Sequence, residues 1–240
     1  MQKISYLFTG SLISSLFFST LFSQDNAFHK LVFVKEALTH ITTVGAIAPF
    51  SKQTADAITK HIHTYANQHQ THLRVLELGA GTGTLSKNIL TALKETRLSY
   101  ELDLIEIMPE YADSLKDQFT VHDNVKIYCE DAQTFRRKDG KKYDVVISTL
   151  PFNALDFNSK LVTNILHNIE SITKSNGRFI WVEYALLTKL MEKCLFGTKY
   201  IEHVKKIDIK DKFLEDHGIK ALELVAQNVP PTWVIVQSIK

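Results

Sequence analysis

Short apolar runs alternate along this chain with segments whose apolar residues recur every three or four positions. The runs at Arg74–Leu78, Leu102–Glu106, Val125–Tyr128, Tyr143–Ser148, Arg178–Glu183, Ile219–Gln227 and Trp233–Gln237 read as strands. Helices are expected from Ser51, a plausible N-cap, to about Asn67, over Leu85–Leu93, from Pro109 onward and over Leu161–Ser171. Alternation of this kind predicts an α/β fold with a doubly wound, mostly parallel, seven-stranded sheet. The last two runs are joined only by Asn228-Val229-Pro230-Pro231, a connection short enough for an antiparallel hairpin at the sheet edge.

Upstream, Phe28–Ile41 sets Phe28, Leu31, Val34, Lys35, Leu38 and Ile41 along one helical side, and Thr43–Phe50 breaks the pattern at Gly45 and Pro49. Ile4–Ser23 carries no charge and just reaches the ~20 residues of a bilayer crossing, with middling hydropathy and no clean apolar face. Residues 1–25 are therefore expected to be a hydrophobic, membrane-associating leader, with a cleaved signal or a packed helix as alternatives. Residues 26–240 are the folded domain with its N-terminal helical extension.

The 45% hydrophobic content, with 9 Gly and 5 Pro, excludes a disordered or low-complexity chain, and a net charge of +2 demands no polyanionic partner. Cys129 and Cys194 lack the spacing of a metal site and read as reduced, packed thiols of a cytosolic compartment. His61, His63, His69 and His72 read as a solvated helix end, so no metal is expected.

The chemistry concentrates where the first strand runs into Gly79-Ala80-Gly81-Thr82-Gly83 and a helix. Glycines at alternate positions allow a tight turn and close approach of a ligand to the backbone. Thr84 stands where a dinucleotide fingerprint needs its last glycine, and no Lys-Ser/Thr follows for a P-loop. Glu77, two residues before the first glycine, instead suits the cationic sulfonium and ammonium of S-adenosylmethionine. Glu106 ends the second strand 23 residues after Gly83, placed for ribose hydroxyls, and Asp131 follows the third strand, placed for an adenine amino group. Glu77, Gly79, Ala80, Gly81, Gly83, Glu106, Ile107, Asp131, Ala132 and Thr149 form the expected cofactor set.

Thr149-Leu150-Pro151-Phe152 follows the fourth strand, at the end where ligands of open α/β sheets bind. The loop resembles the Asn-Pro-Pro-Tyr or Asn-Leu-Pro-Tyr motif of methyltransferases acting on exocyclic amino groups, including the ribosomal RNA adenine dimethyltransferases. Thr149 replaces the Asn and Phe152 the Tyr. Ser148–Phe152, together with Thr42-Thr43-Val44-Gly45-Ala46-Ile47-Ala48-Pro49, Val75–Gly83, Glu106-Ile107-Met108-Pro109-Glu110 and Val229-Pro230-Pro231, makes the chain similar to bacterial phospholipid N-methyltransferases from about Phe28 onward. The resemblance implies a class I, Rossmann-like S-adenosylmethionine-dependent methyltransferase. It would methylate the amine of a membrane phospholipid such as phosphatidylethanolamine, on the cytoplasmic side of the inner membrane, peripherally or anchored by the leader. An RNA adenine N6-methyltransferase and a non-catalytic, membrane-attached S-adenosylmethionine-binding protein are the alternatives.

Leu150, Pro151, Phe152 and Phe50 are the expected acceptor-binding residues, with Trp181 and Tyr184 as further ring faces for a methylated ammonium. Asp156, Glu183 and Tyr184 are candidates to take the proton that an ammonium must lose first. The basic residues Arg136-Arg137-Lys138, Lys141-Lys142, Lys205-Lys206, Lys210 and Lys212 are candidate contacts to anionic headgroups, and no nucleic acid is expected in this reading.

Overall fold

The computed structural model describes residues 51–68, 71–154, 157–185, 191, 195–228 and 231–240, all within the compact unit Ala48–Lys240. The leader, the Phe28–Ile41 segment, Phe50, Asp156 and Cys194 lie outside the described residues.

The elements in chain order are α1 (Lys52–Ala66), β1 (His72–Leu78), α2 (Thr84–Glu95), β2 (Ser99–Glu106), α3 (Pro109–Phe119), β3 (Val125–Cys129) and β4 (Tyr143–Ser148). These are followed by α4 (Ser159–Ile172), β5 (Thr173–Tyr184), α5 (Gly197–His217), β6 (Ile219–Val225) and β7 (Thr232–Ser238). Among the described residues one seven-stranded sheet runs β3-β2-β1-β4-β5-β7-β6. The first five strands are mutually parallel, and β7 is antiparallel to both β5 and β6. The expected edge hairpin is thus present, with its second strand inserted next to β5.

The central strands β1 and β4 bury both faces, as helices cover the sheet on two sides, while the edge strands β3 and β6 are partly exposed. Leu73 and Val75 of β1 join Ile58 and Ile62 of α1 and Ile89 and Leu93 of α2 in one core. Leu76 and Leu78 join Ile165 and Ile169 of α4 and Phe213 of α5 in the other. Ser51 caps α1 as expected, its Oγ accepting from Thr54 N. Asn228 Oδ1 in turn accepts from Ser51 N at 3.0 Å, tying the start of α1 to the β6–β7 turn.

Helix α5 is the one long element that the apolar pattern did not announce. Its buried residues are His203, Lys206, Lys210, Phe213 and His217, a helical stripe that is polar over most of its length. Two of the residues read as headgroup contacts, Lys206 and Lys210, are therefore interior. Arg137 is a third correction. Its side chain is only 6% exposed and bonds Glu101 at 2.7 Å, Asp103 at 3.0 Å and Asp139 at 2.9 Å. Asp103 also accepts from Tyr143 Oη at 2.5 Å, and burial pushes the Tyr143 phenol up. Arg136, Lys138, Lys141 and Lys142 remain exposed, on the loop leading into the amino end of β4, the sheet edge opposite the glycine turn. Arg137→Met is expected to destabilise the fold by about 3–5 kcal/mol, because it strands a buried carboxylate. Denaturant unfolding will show this as a lowered midpoint at unchanged slope. Cys129 is exposed, with Sγ 3.8 Å from the Ile107 carbonyl oxygen, and so is not the packed thiol expected.

Candidate active site

The strand order reverses direction of travel between β1 and β4, the switch point at whose carboxyl ends open α/β sheets form their ligand crevice. The glycine turn crosses that crevice. Gly79 and Ala80 donate to the Ile105 carbonyl at 2.9 and 3.1 Å, and Gly83 begins α2 in the left-handed region at φ 80°. Gly81 has φ +54°, and a side chain built on it would meet nothing within 4 Å. At Gly79 a Cβ would come within 2.7 Å of Leu150 Cδ2, so the turn and the loop after β4 are in close contact. Thr149 closes the same contact, its Oγ1 donating to the Gly79 carbonyl at 3.0 Å.

Two acids frame the turn. Glu106 Oε2 accepts from Gly81 N at 2.8 Å and Oε1 from Met108 N at 2.9 Å, so this carboxylate holds the glycine turn besides facing the crevice. Glu77 is buried below the turn, and Ser86 Oγ donates to it at 2.5 Å. Burial raises its pKa to about 8; the Ser86 bond opposes the rise and the Glu106 charge adds to it. A buried carboxyl in that state is relieved by a cation brought into the crevice. Ile107 and Met108, both exposed, give the rim an apolar edge beside Glu106. Asp131 lies at the same sheet edge, two residues past β3. Its carboxylate accepts from Gln133 N at 2.8 Å and Gln133 Nε2 at 2.9 Å, so it caps the turn that buries Ala132. An open space over Gly81, a buried acid and an apolar rim fit S-adenosylmethionine, which joins a cationic amino-acid end to a flat adenine.

The acceptor-side residues divide. Leu150 and Pro151 are half-buried at the crevice. Phe152, 3% exposed, is instead a core residue, its ring centroid 5.7 Å from Trp181 and 6.4 Å from Phe157. Trp181 is buried behind it and donates to Gln237 Oε1 at 3.2 Å. Neither ring faces an acceptor, because the loop turns inward after Pro151. Glu183 accepts from Asn153 Nδ2 at 2.6 Å and pairs with Lys210, so it is an engaged carboxylate and not a free proton acceptor. Burial pushes the Tyr184 phenol well up, which leaves it a hydroxyl at neutral pH. Ser86 was not anticipated here, and Lys206 and Lys210 were anticipated only as headgroup contacts. Ser86 sits at the third position of α2, and Lys206 and Lys210 share one face of α5 through their i, i+4 spacing.

Residues 69–218 match the family described as "Methyltransferase domain". The chain belongs to that family. Malonyl-[acyl-carrier protein] O-methyltransferase 1 of Ilyobacter polytropus is 26% identical over 118 residues, 49% of this chain and 40% of that protein. Squalestatin hexaketide synthase of Phoma sp. is 27% identical over 141 residues, 56% of this chain and 5% of that protein. The matches thus span well under half of these curated relatives. Among solved structures, magnesium protoporphyrin IX methyltransferase from Synechocystis PCC 6803, solved with bound SAH, superposes with a TM-score of 0.56 at 16% identity. That match covers 86% of this chain and 99% of the other. N-methyltransferase NodS from Bradyrhizobium japonicum WM9 gives 0.55 at 9% identity, covering 79% and 98%. The fold is that of class I S-adenosylmethionine-dependent methyltransferases, and S-adenosylmethionine is the cofactor that family and fold imply.

Proposed function

We propose that this methyltransferase transfers methyl groups from S-adenosylmethionine to the amine of a membrane phospholipid such as phosphatidylethanolamine. The observation that carries methyl transfer is the crevice in which buried Glu77, open Gly81 and Glu106 converge beside the Thr149–Pro151 loop. The amine and the lipid are supported by the sequence segments Thr42–Pro49 and Leu150–Phe152. When bound, the cofactor supplies an electrophilic methyl on a sulfonium. Glu77 provides negative charge for the cationic end, Glu106 fixes the turn against which it lies, and Leu150 and Pro151 wall the acceptor side. Such alignment and exclusion of water contribute several kcal/mol to barrier lowering in favourable cases. The acceptor nitrogen must arrive neutral. With Glu183 paired and Tyr184 held protonated, its proton passes to solvent or to a group outside the described residues. The reading places the enzyme at the cytoplasmic face of the membrane, held peripherally or by the leader.

A second acceptor class is favoured by two of the curated relatives, whose names specify malonyl-[acyl-carrier protein] as substrate. The adenine alternative lacks the Asn whose place Thr149 takes. One assay separates these. Labelled methyl from S-adenosylmethionine is offered to vesicles of phosphatidylethanolamine and phosphatidylglycerol, to malonyl-acyl carrier protein and to unmodified ribosomal RNA. Label in mono- and dimethylated lipid is the expected result. Label confined to the malonyl ester or to RNA replaces the lipid reading with that acceptor, and no label in any acceptor favours a binding-only protein.

A further inference from the structure

The loop after β4 is not held by its own sequence alone. Lys210 Nζ, on a side chain 4% exposed, donates to Asn153 Oδ1 at 2.6 Å and pairs with Glu183, whose Oε1 also accepts from Asn153 Nδ2 at 2.6 Å. One turn earlier on α5, Lys206 Nζ donates to the Ala154 carbonyl at 2.7 Å and the Asn153 carbonyl at 3.3 Å. Lys210 also lies 5.9 Å from the centroid of the Trp181 ring, against which Phe152 packs. Two buried ammonium groups thus grip a two-residue stretch of backbone and one amide side chain. The same loop, four residues earlier, touches the glycine turn through Leu150 on Gly79 and Thr149 Oγ1 on the Gly79 carbonyl.

Burying two lysines is costly, and an apolar stripe on α5 would serve stability better. A short surface loop ordinarily tolerates small shifts, whereas an acceptor wall must be placed to a fraction of an ångström. We infer that Lys210, Glu183 and Asn153, with Lys206 beside them, form a buried positioning unit that sets the loop 149–154 against the cofactor turn. Glu183 serves here as the counterion of the unit and takes no proton. The inference rests on methyl transfer and on no particular acceptor.

Three variants test it: Lys210→Met, Lys210→Arg and the double variant Glu183→Gln/Lys210→Met. The double variant removes both charges and keeps a carbonyl for Asn153 Nδ2. In Lys210→Met the amides of 149–154 are expected to exchange with deuterium about tenfold faster, while those of α2 stay within about threefold. Affinity for S-adenosylmethionine by calorimetry should stay within about threefold, and kcat on phosphatidylethanolamine–phosphatidylglycerol vesicles should fall about 30-fold or more. Lys210→Arg should recover part of that loss. The double variant should restore protection of the loop and bring turnover within about tenfold of the parent, with the parent's pH profile.

Unchanged exchange over 149–154 in Lys210→Met overturns the inference. So does a double variant with a protected loop that is inactive by about a thousandfold, which makes Glu183 the proton acceptor. Should Lys210→Met fail to fold, Lys210→Arg decides: faster exchange over 149–154 with reduced turnover supports the inference, and exchange and turnover both at the parent's level overturn it. Should the vesicles prove not to be substrate, exchange and cofactor affinity still decide, and only the lipid reading falls.

Discussion

Replacing Gly81 with leucine is expected to abolish S-adenosylmethionine binding, by about 100-fold or more in affinity, while the protein still folds. The residue has φ +54°, so a side chain there costs about 1–2 kcal/mol in backbone strain, which a domain of this size tolerates. Nothing in the structure lies within 4 Å of the new Cβ, so the leucine has open space to occupy, the space that this reading gives to the cofactor. The neighbouring glycines would not give so clean a result. A Cβ at Gly79 comes within 2.7 Å of Leu150 Cδ2 and one at Gly83 within 2.8 Å of Leu115 Cδ2, so either would disturb packing as well as binding. Titration with S-adenosylhomocysteine, alongside a thermal melt of the unliganded variant, separates loss of site from loss of fold. Parental affinity in Gly81→Leu would remove the cofactor from the glycine crevice.

That crevice was legible in the sequence because it is built from local signals. Three alternate glycines after a short apolar run, an acid two residues upstream and acids after the next two strands can each be read without tertiary information. The structure sets all of them at one sheet edge. Seven strands followed from short apolar runs and four helices from the 3.6-residue period for the same reason. The β5 strand begins at Thr173, ahead of the apolar run that starts at Arg178, because Thr173 pairs with Tyr143; the chain then bulges out of register, with Asn176 at φ 65°, before pairing resumes at Arg178.

What escaped was tertiary. Helix α5 buries lysines and histidines where an amphipathic pattern would place leucines, so its inward face looked like surface charge. The same blindness turned Arg137, Lys206 and Lys210 into candidate headgroup contacts. Basic residues read one at a time give no hint that a carboxylate or a row of carbonyls awaits them inside. Phe152 failed in the opposite sense. Its motif position suggested an acceptor face, but a phenylalanine has no hydroxyl to keep at a polar surface, and the ring turns to Trp181.

Glu77→Gln is expected to change the pH dependence of both stability and cofactor binding. In the unliganded protein, burial raises the Glu77 pKa from 4.5 to about 8. Because the folded-state value is the higher one, the proton stabilises the fold. That contribution is fully present below about pH 4.5 and is lost as pH rises towards and through about 8. The whole effect is of order 3–5 kcal/mol. Glutamine keeps the shape and an oxygen for Ser86 Oγ but carries no charge. The stability curves of parent and variant should therefore lie parallel near pH 4 and diverge from pH 5 upward, with the variant more stable by a few kcal/mol at pH 9. Cofactor binding should reverse the ranking. A cation beside Glu77 favours the carboxylate, so the parent must release a proton on binding at pH 7, and the variant has none there to release. Calorimetry in two buffers of different ionisation enthalpy counts those protons. Subtracting the variant's count from the parent's cancels the titration of the ligand's own amine and should leave close to one. The variant should also bind more weakly at pH 9, by about tenfold or more, having lost a charge-assisted partner. Equal proton counts with parallel stability curves across the whole range would show that Glu77 is neither perturbed by burial nor in contact with the cation. The acid two residues before the glycine turn would then be a packing residue, and Glu106 would be left as the acid that meets the cofactor.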